Sequence, residues 1–162
     1  MDTSVWINLL ATEMARPILG ALETCIYTPG QVVDELKRNP VTGEPVDADE
    51  ILRLGPPARA SIVALEGPGL ALFFDIVRQP AADALGDGEA AAIAFAASHG
   101  VDLVIDDRKA RRIVGEQFAG IETFWTVDLL RVPSVVNALG SRLAEECFAK
   151  AQRFGRMHVP RS

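Results

Sequence analysis

Two adjacent carboxylates, Asp106 and Asp107, end the apolar run Val101 to Ile105 in the stretch LVIDDRKARR, and Arg108, Lys109, Arg111 and Arg112 follow at once. Acids at the carboxyl end of a buried strand stand where open parallel sheets bind ligands. One acid would serve to cap the next helix; two leave one over. Asp2, Glu35 (in the segment opened by Pro29 and Gly30) and Glu89 (just after Gly86-Asp87-Gly88) occupy comparable positions. Each also has a plain structural reading: a charged terminus for Asp2, an i,i+3 pair with Arg38 for Glu35, and a first-turn acid facing the helix dipole for Glu89. Gathered in one place, such carboxylates would repel one another and take up protons unless a divalent cation neutralised them. Oxygen-only ligands suit Mg²⁺ or Mn²⁺ and not zinc. His99 and His158 are isolated and Cys25 and Cys147 lie far apart, so no nitrogen or sulfur site is legible. On a helix, Arg108, Arg111 and Arg112 share a face away from Ala110, Ile113 and Val114. That face would suit phosphates, or would simply be solvated.

The elements that must position these residues follow from pattern. Ser4 to Ala15 reads as a helix with Pro17 beyond its end. Thr24 to Thr28 reads as a short strand. Pro29 and Gly30 open a helix over Gln31 to Arg38, which Asn39-Pro40 ends. Residues 40–50 read as a surface loop or hairpin. Ser61 to Leu65 and Leu70 to Val77 are apolar runs split by Gly67-Pro68-Gly69, and the second fits helix or strand equally. Asp87 stands as the N-cap of a helix carrying Ala90, Ile93, Ala94 and Ala97, closed by Gly100. Val101 to Ile105 is a strand apolar on nearly all sides, as in a covered parallel sheet. Arg108 to Phe118 is a helix, Ile121 to Val127 a strand, and Pro133 to Phe154 one long amphipathic helix. The alternation predicts an α/β fold, three layers α/β/α around a mainly parallel sheet, with a C-terminal helix. Residues 1–132 would form the domain and residues 133–162 a helical extension packed on it.

The 162 residues are enough for one domain with a real core. No apolar stretch is long enough to span a bilayer, and the acids Asp2 and Glu13 leave no basic leader region. The two cysteines fit reduced thiols, so the expectation is a cytoplasmic protein with no membrane contact. A net charge of −6 argues against indiscriminate coating of nucleic acid, but its distribution is uneven: −11 over residues 1–107 and +5 over residues 108–162. A basic carboxyl-terminal third on an acidic chain could face phosphate locally. Lys150, Arg153, Arg156 and Arg161 would extend such a surface.

Four pieces, DTSVWINLL, VVDEL, LGDGEAAAIAFA and LVIDDRKARRIV, give the chain a resemblance to the PIN-domain ribonucleases over roughly residues 2–127. The resemblance implies that Asp2, Glu35, Glu89 and Asp107 are catalytic and converge on divalent metal. Asp2, Glu89 and Asp107 would hold the ion, Asp106 would be an alternate or additional ligand, and Glu35 would hold a second ion or orient the attacking water. Ser4 follows the family's Asp-Thr-Ser pattern, which implies a bond to a metal-bound water; it could equally cap the first helix. Arg108, Arg111 and Arg112 would hold RNA phosphates. The implied cofactor is Mg²⁺ or Mn²⁺, the implied activity hydrolysis of RNA without a covalent intermediate. Because toxins of toxin–antitoxin pairs are prominent in the family, an antitoxin protein and a homodimer are implied partners. The family's first Asp closes an apolar strand; here Met1 alone stands before Asp2.

Two other classes fit parts of the pattern. A PIN-like module that binds RNA or protein without cleaving would carry an incomplete metal site. A phosphorelay receiver also pairs acids around Mg²⁺, but places the pair after its first strand and needs a later Asp and Lys that this order lacks.

Overall fold

Strand pairing in the computed structural model, which describes residues 1–56, 59–80 and 83–160, is entirely parallel among its named strands. β1 (Ile26–Pro29) lies beside β2 (Ala60–Val63), with Ile26 opposite Ala60. β3 (Leu103–Val104) lies beside β4 (Thr123–Phe124). Helices fill the connections: α1 (Thr3–Ala11), α2 (Ala15–Ala21), α3 (Gly30–Glu35), α4 (Ala48–Leu54), α5 (Gly67–Val77), α6 (Asp87–His99), α7 (Arg108–Gln117) and α8 (Thr126–Arg131). α9 (Pro133–Leu139), α10 (Ser141–Lys150) and a wide helical turn, Ala151–Gly155, complete the chain. The α/β class with parallel strands is as the sequence predicts.

Met1 and Asp2 join the two strand pairs. Ile26 N–H donates to Arg59 C=O, so by alternation the Tyr27 groups face the other way, where Tyr27 C=O accepts from the Met1 amino group at 3.0 Å. Leu103 and Ile105 donate to Glu122 and Phe124, so Val104 faces away from β4, and its C=O accepts from Asp2 N–H at 3.4 Å. The order across the row is β2, β1, Met1–Asp2, β3, β4. A cavity of about 830 Å³ adjoins Met1, walled by Ile26, Tyr27, Phe95, Val101, Leu103 and Val104.

Two clusters of buried side chains flank the row. One gathers Val5, Trp6, Leu9, Ile18 and Leu19 with Val135, Cys147 and Met157, so the C-terminal helices share a core with α1 and α2. Trp6 Nε1 also donates to Thr28 Oγ1 of β1 at 3.1 Å. The other joins Phe73 and Ile76 of α5, Ala90 to Ala96 of α6, Leu103, Ile105 and Ala110. The run of alanines lets α6 lie close against the sheet and α5.

Several boundaries differ from the sequence reading. The expected single helix from Pro133 to Phe154 breaks at Gly140, whose φ of +76° and ψ of 149° are open to glycine and end the α-helical ladder. The first helix stops at Ala11, with Glu13 at φ +58°. Pro17 lies in the first turn of α2, where its missing N–H costs no bond. Leu70 to Val77 belongs to helix α5. Asp87 is the first residue of α6, and Gly86, not Asp87, holds the cap position. The strands at Val101 to Ile105 and Ile121 to Val127 shorten to two residues each, the latter because α8 starts at Thr126. Within residues 40–50, Asn39 N–H donates to Glu44 C=O to close a hairpin, and Asp47 then caps α4. Both cysteines are free. Among the described residues, no helix is long and apolar enough to cross a membrane.

Candidate metal centre

Every acid singled out from the sequence stands at the end of an element, where main-chain donors fix its carboxylate. Asp2 is fully buried and caps α1: Oδ1 accepts from Val5 N–H at 3.0 Å and Oδ2 from Ser4 Oγ at 2.7 Å. Asp107 caps α7 through Oδ1 and Ala110 N–H at 2.7 Å. Asp106 Oδ1 accepts from Thr126 N–H at 2.7 Å. Its Oδ2 accepts from Thr126 Oγ1 at 2.6 Å and from Asn8 Nδ2 at 2.5 Å. Asp106 thus ties the end of β3 to α1 and α8. Glu89, in the first turn of α6, folds back so that Oε2 accepts from Gly86 N–H at 3.0 Å.

Glu35 ends α3 and reaches across to α6 and α1. Its Oε1 accepts from Gly88 N–H at 2.8 Å and its Oε2 from Thr3 Oγ1 at 2.6 Å. Arg38, the alternative partner, donates instead to Gly43 C=O at 2.9 Å. Gly88 is buried under Glu35: a Cβ there would overlap Glu35 Oε2 and stand 2.5 Å from Thr3 Oγ1. A Cβ on Gly86 would be 3.6 Å from both Glu35 Oε1 and Glu89 Oε2, so these two carboxylates share one glycine surface.

Electrostatics couple the acids in two sets, Asp2 with Asp106 and Glu89 with Asp107 and Glu35. Burial raises the Glu89 carboxyl above its ordinary range, opposed by the Gly86 bond and reinforced by the charges of Asp107 and Glu35. Burial raises Asp2 to about 7, with Asp106 adding to the rise and the bonds from Ser4 and Val5 opposing it. Protonated Asp2 favours the fold below its ordinary value of 3.8, and that contribution is lost as pH rises through about 7. The buried Met1 amino group, lowered by desolvation to about 6, works in the opposite sense: its contribution holds above 8.0 and is lost as pH falls through 6. Asp2→Asn removes the first effect and, by taking away the neighbouring charge that raises the Met1 amino group, lowers that group further, which changes stability with pH in the same direction. Without divalent cations, the variant should therefore gain stability relative to wild type between pH 5 and pH 8, by up to a few kcal/mol. Urea melts at the two pH values check this, and a pH-independent difference would contradict it.

The donor set is all oxygen. Among the described residues, no three His, Cys, Asp or Glu side chains are grouped to hold one ion directly. Mg²⁺ does not need such a cage, because it commonly keeps several waters and takes one or two carboxylates. The pair Asp2 and Asp106 and the group Glu35, Glu89 and Asp107 fit an ion of that hydrated kind.

The cations divide. Arg112 pairs with Asp83 at 2.6 Å and Glu116 at 2.7 Å on the surface. Arg111 turns inward, donating to Thr123 C=O at 3.0 Å and Ile105 C=O at 3.4 Å while its guanidinium lies 4.1 Å over the Trp125 ring. Lys109 donates to Ala84 C=O. Arg108 follows Asp107 in the chain and donates to the His158 ring at 2.8 Å, while the cation whose charge acts on Glu89 is Lys109. Lys150 pairs with Glu13, Arg153 stacks on Phe154, and Arg156 adopts φ +61°. Arg161 lies outside the described residues. Sequence reasoning missed Thr3, Asn8, Gly88, Thr126 and His158 as parts of this neighbourhood. Two carried a signal: Gly88 as the second glycine of Gly86-Asp87-Gly88, and Thr3 as the threonine of Asp2-Thr3-Ser4.

A family model described as DUF3368, a PIN domain, matches residues 1–132. No curated protein and no solved structure matches the chain. PIN domains are typically nucleases and generally use divalent metals. With most of its length matched and parallel strands that carry acids at their ends, the chain belongs to the PIN-domain family.

Proposed function

We propose that this protein is a Mg²⁺- or Mn²⁺-dependent endoribonuclease. The observation that carries the reading is the convergence of Glu35 and Glu89 on the Gly86-Asp87-Gly88 turn, with Asp107 close enough to raise Glu89 further. Asp2, Glu89, Asp107 and Asp106 would hold metal. A bound ion would activate water and steady the leaving oxygen of a phosphodiester. Glu35 is the exposed carboxylate of the group, and it is oriented by Gly88 and Thr3. That suits it to align the incoming water and take its proton. Arg108 is the cation best situated to meet a flanking phosphate.

The reading extends to a toxin of a toxin–antitoxin pair, acting in the cytoplasm and held by an antitoxin protein, with a homodimer as the working form. A second reading, a PIN-like module that binds RNA or protein without cleaving, is favoured by one observation: no three acids among the described residues are grouped on a single point. The discriminating experiment is incubation with single-stranded and structured RNAs under Mn²⁺, Mg²⁺ or EDTA. The nuclease reading expects cleavage with metal and none in EDTA. RNA binding without cleavage under any metal would favour the second reading.

A further inference from the structure

Beyond the acids, the most developed cluster is a cavity of about 690 Å³ lined by Arg108, Trp125, His158, Val159 and Pro160. Among the described residues no carboxylate lines it, although the chain carries a net charge of −6. Its walls are fixed. The Arg108 guanidinium is turned by His158 Nε2, with contacts at 2.8 and 3.2 Å, and the His158 ring lies 5.4 Å from Trp125 at 58°. The Arg111 guanidinium lies over the Trp125 ring, and that arginine is itself held by two main-chain carbonyls. Two of its lining residues are chain neighbours of residues at the acids. Arg108 follows Asp107 directly, and Trp125 precedes Thr126, which Asp106 grips by both its N–H and its hydroxyl.

A preformed pocket with planar aromatic surfaces and one cation matches a ligand that has a flat face and an adjacent anion. We propose that this pocket binds one unpaired nucleotide of an RNA strand, next to the phosphodiester presented to the acids. The base packs against Trp125 and His158, and its phosphate meets Arg108. A base in a duplex cannot offer its face in this way, so the pocket selects single-stranded segments. This rests on the RNA reading above, but not on cleavage.

The test is binding in EDTA, where cleavage is suppressed. A labelled single-stranded hexanucleotide, the same strand with one abasic position, and a duplex of equal length are followed by anisotropy. Wild type should bind the single strand better than the duplex. Trp125→Leu and His158→Ala should each weaken single-strand binding about tenfold, in line with the loss of one stacked base. The abasic strand should bind wild type more weakly, and that penalty should disappear in Trp125→Leu. Trp125→Phe, which keeps a ring, should restore most of the affinity, and thermal melts confirm folding of each variant. Equal affinity of the variants and wild type would overturn the proposal. So would an abasic penalty unchanged in Trp125→Leu, duplex binding as tight as single-strand binding, or no RNA binding by wild type. Binding as expected without Mn²⁺-dependent cleavage would leave the pocket standing and remove the nuclease. Cleavage with KM unchanged in Trp125→Leu and His158→Ala would do the reverse.

Discussion

Glu89→Gln should lower metal-dependent RNA cleavage by roughly 100-fold or more, the scale seen when one preorganised electrostatic contribution to a transition state is removed. The fold should not suffer. Glutamine keeps an oxygen to accept from Gly86 N–H and has nearly the same shape. It also removes a half-buried charge that Asp107 and Glu35 repel. The metal-free melting temperature at pH 8 should therefore equal or exceed that of wild type, so that activity and stability move apart. Asp107→Asn makes the same point independently, because asparagine caps a helix as well as aspartate does. A fall in cleavage with a parallel fall in stability would mean that these acids act only as structure.

Gly88→Ala should separate position from charge. Alanine is favoured over glycine inside a helix by about 1 kcal/mol. The atoms it would strike, Glu35 Oε2 and Thr3 Oγ1, are the ends of side chains that can swing aside. Stability should therefore change little. Glu35 would lose both its place and its bond to Gly88 N–H. Displacement of about 1 Å at a reacting group costs up to about 100-fold in rate, so cleavage should fall about as far as in Glu35→Ala. Gly86→Ala, with contacts at an ordinary 3.6 Å, is the control and should retain activity. Equal activity of Gly88→Ala and wild type would remove Glu35 from the mechanism.

The acids were legible in the sequence because they follow visible boundaries. Asp106 and Asp107 end an apolar run, and Glu89 follows a glycine pair that opens a helix. Local chemistry of this kind survives folding. The groups that hold the acids were not legible. Asn8 and Thr126 meet Asp106 from positions 98 and 20 residues away, and neither spacing has a pattern. His158 reaches Arg108 across 50 residues for the same reason. The helical stripe from Val135 to Ala151 suggested one continuous helix. Gly140 breaks the backbone within it, while Val135 and Cys147 still reach one core. The strand expected over Ile121 to Val127 shortens for a related reason: Trp125 takes the cap position of α8, where apolar pattern alone predicts extended chain.

The most direct test of the carboxylate site is a Mn²⁺ titration followed by electron paramagnetic resonance on wild type, Glu89→Gln, Asp107→Asn and the double variant. The account predicts that wild type binds Mn²⁺ above pH 7, that Mg²⁺ competes for the ion, and that binding weakens in each single variant and is lost in the double. A wild type that binds no Mn²⁺, or a double variant that binds it as tightly as wild type, would contradict the account.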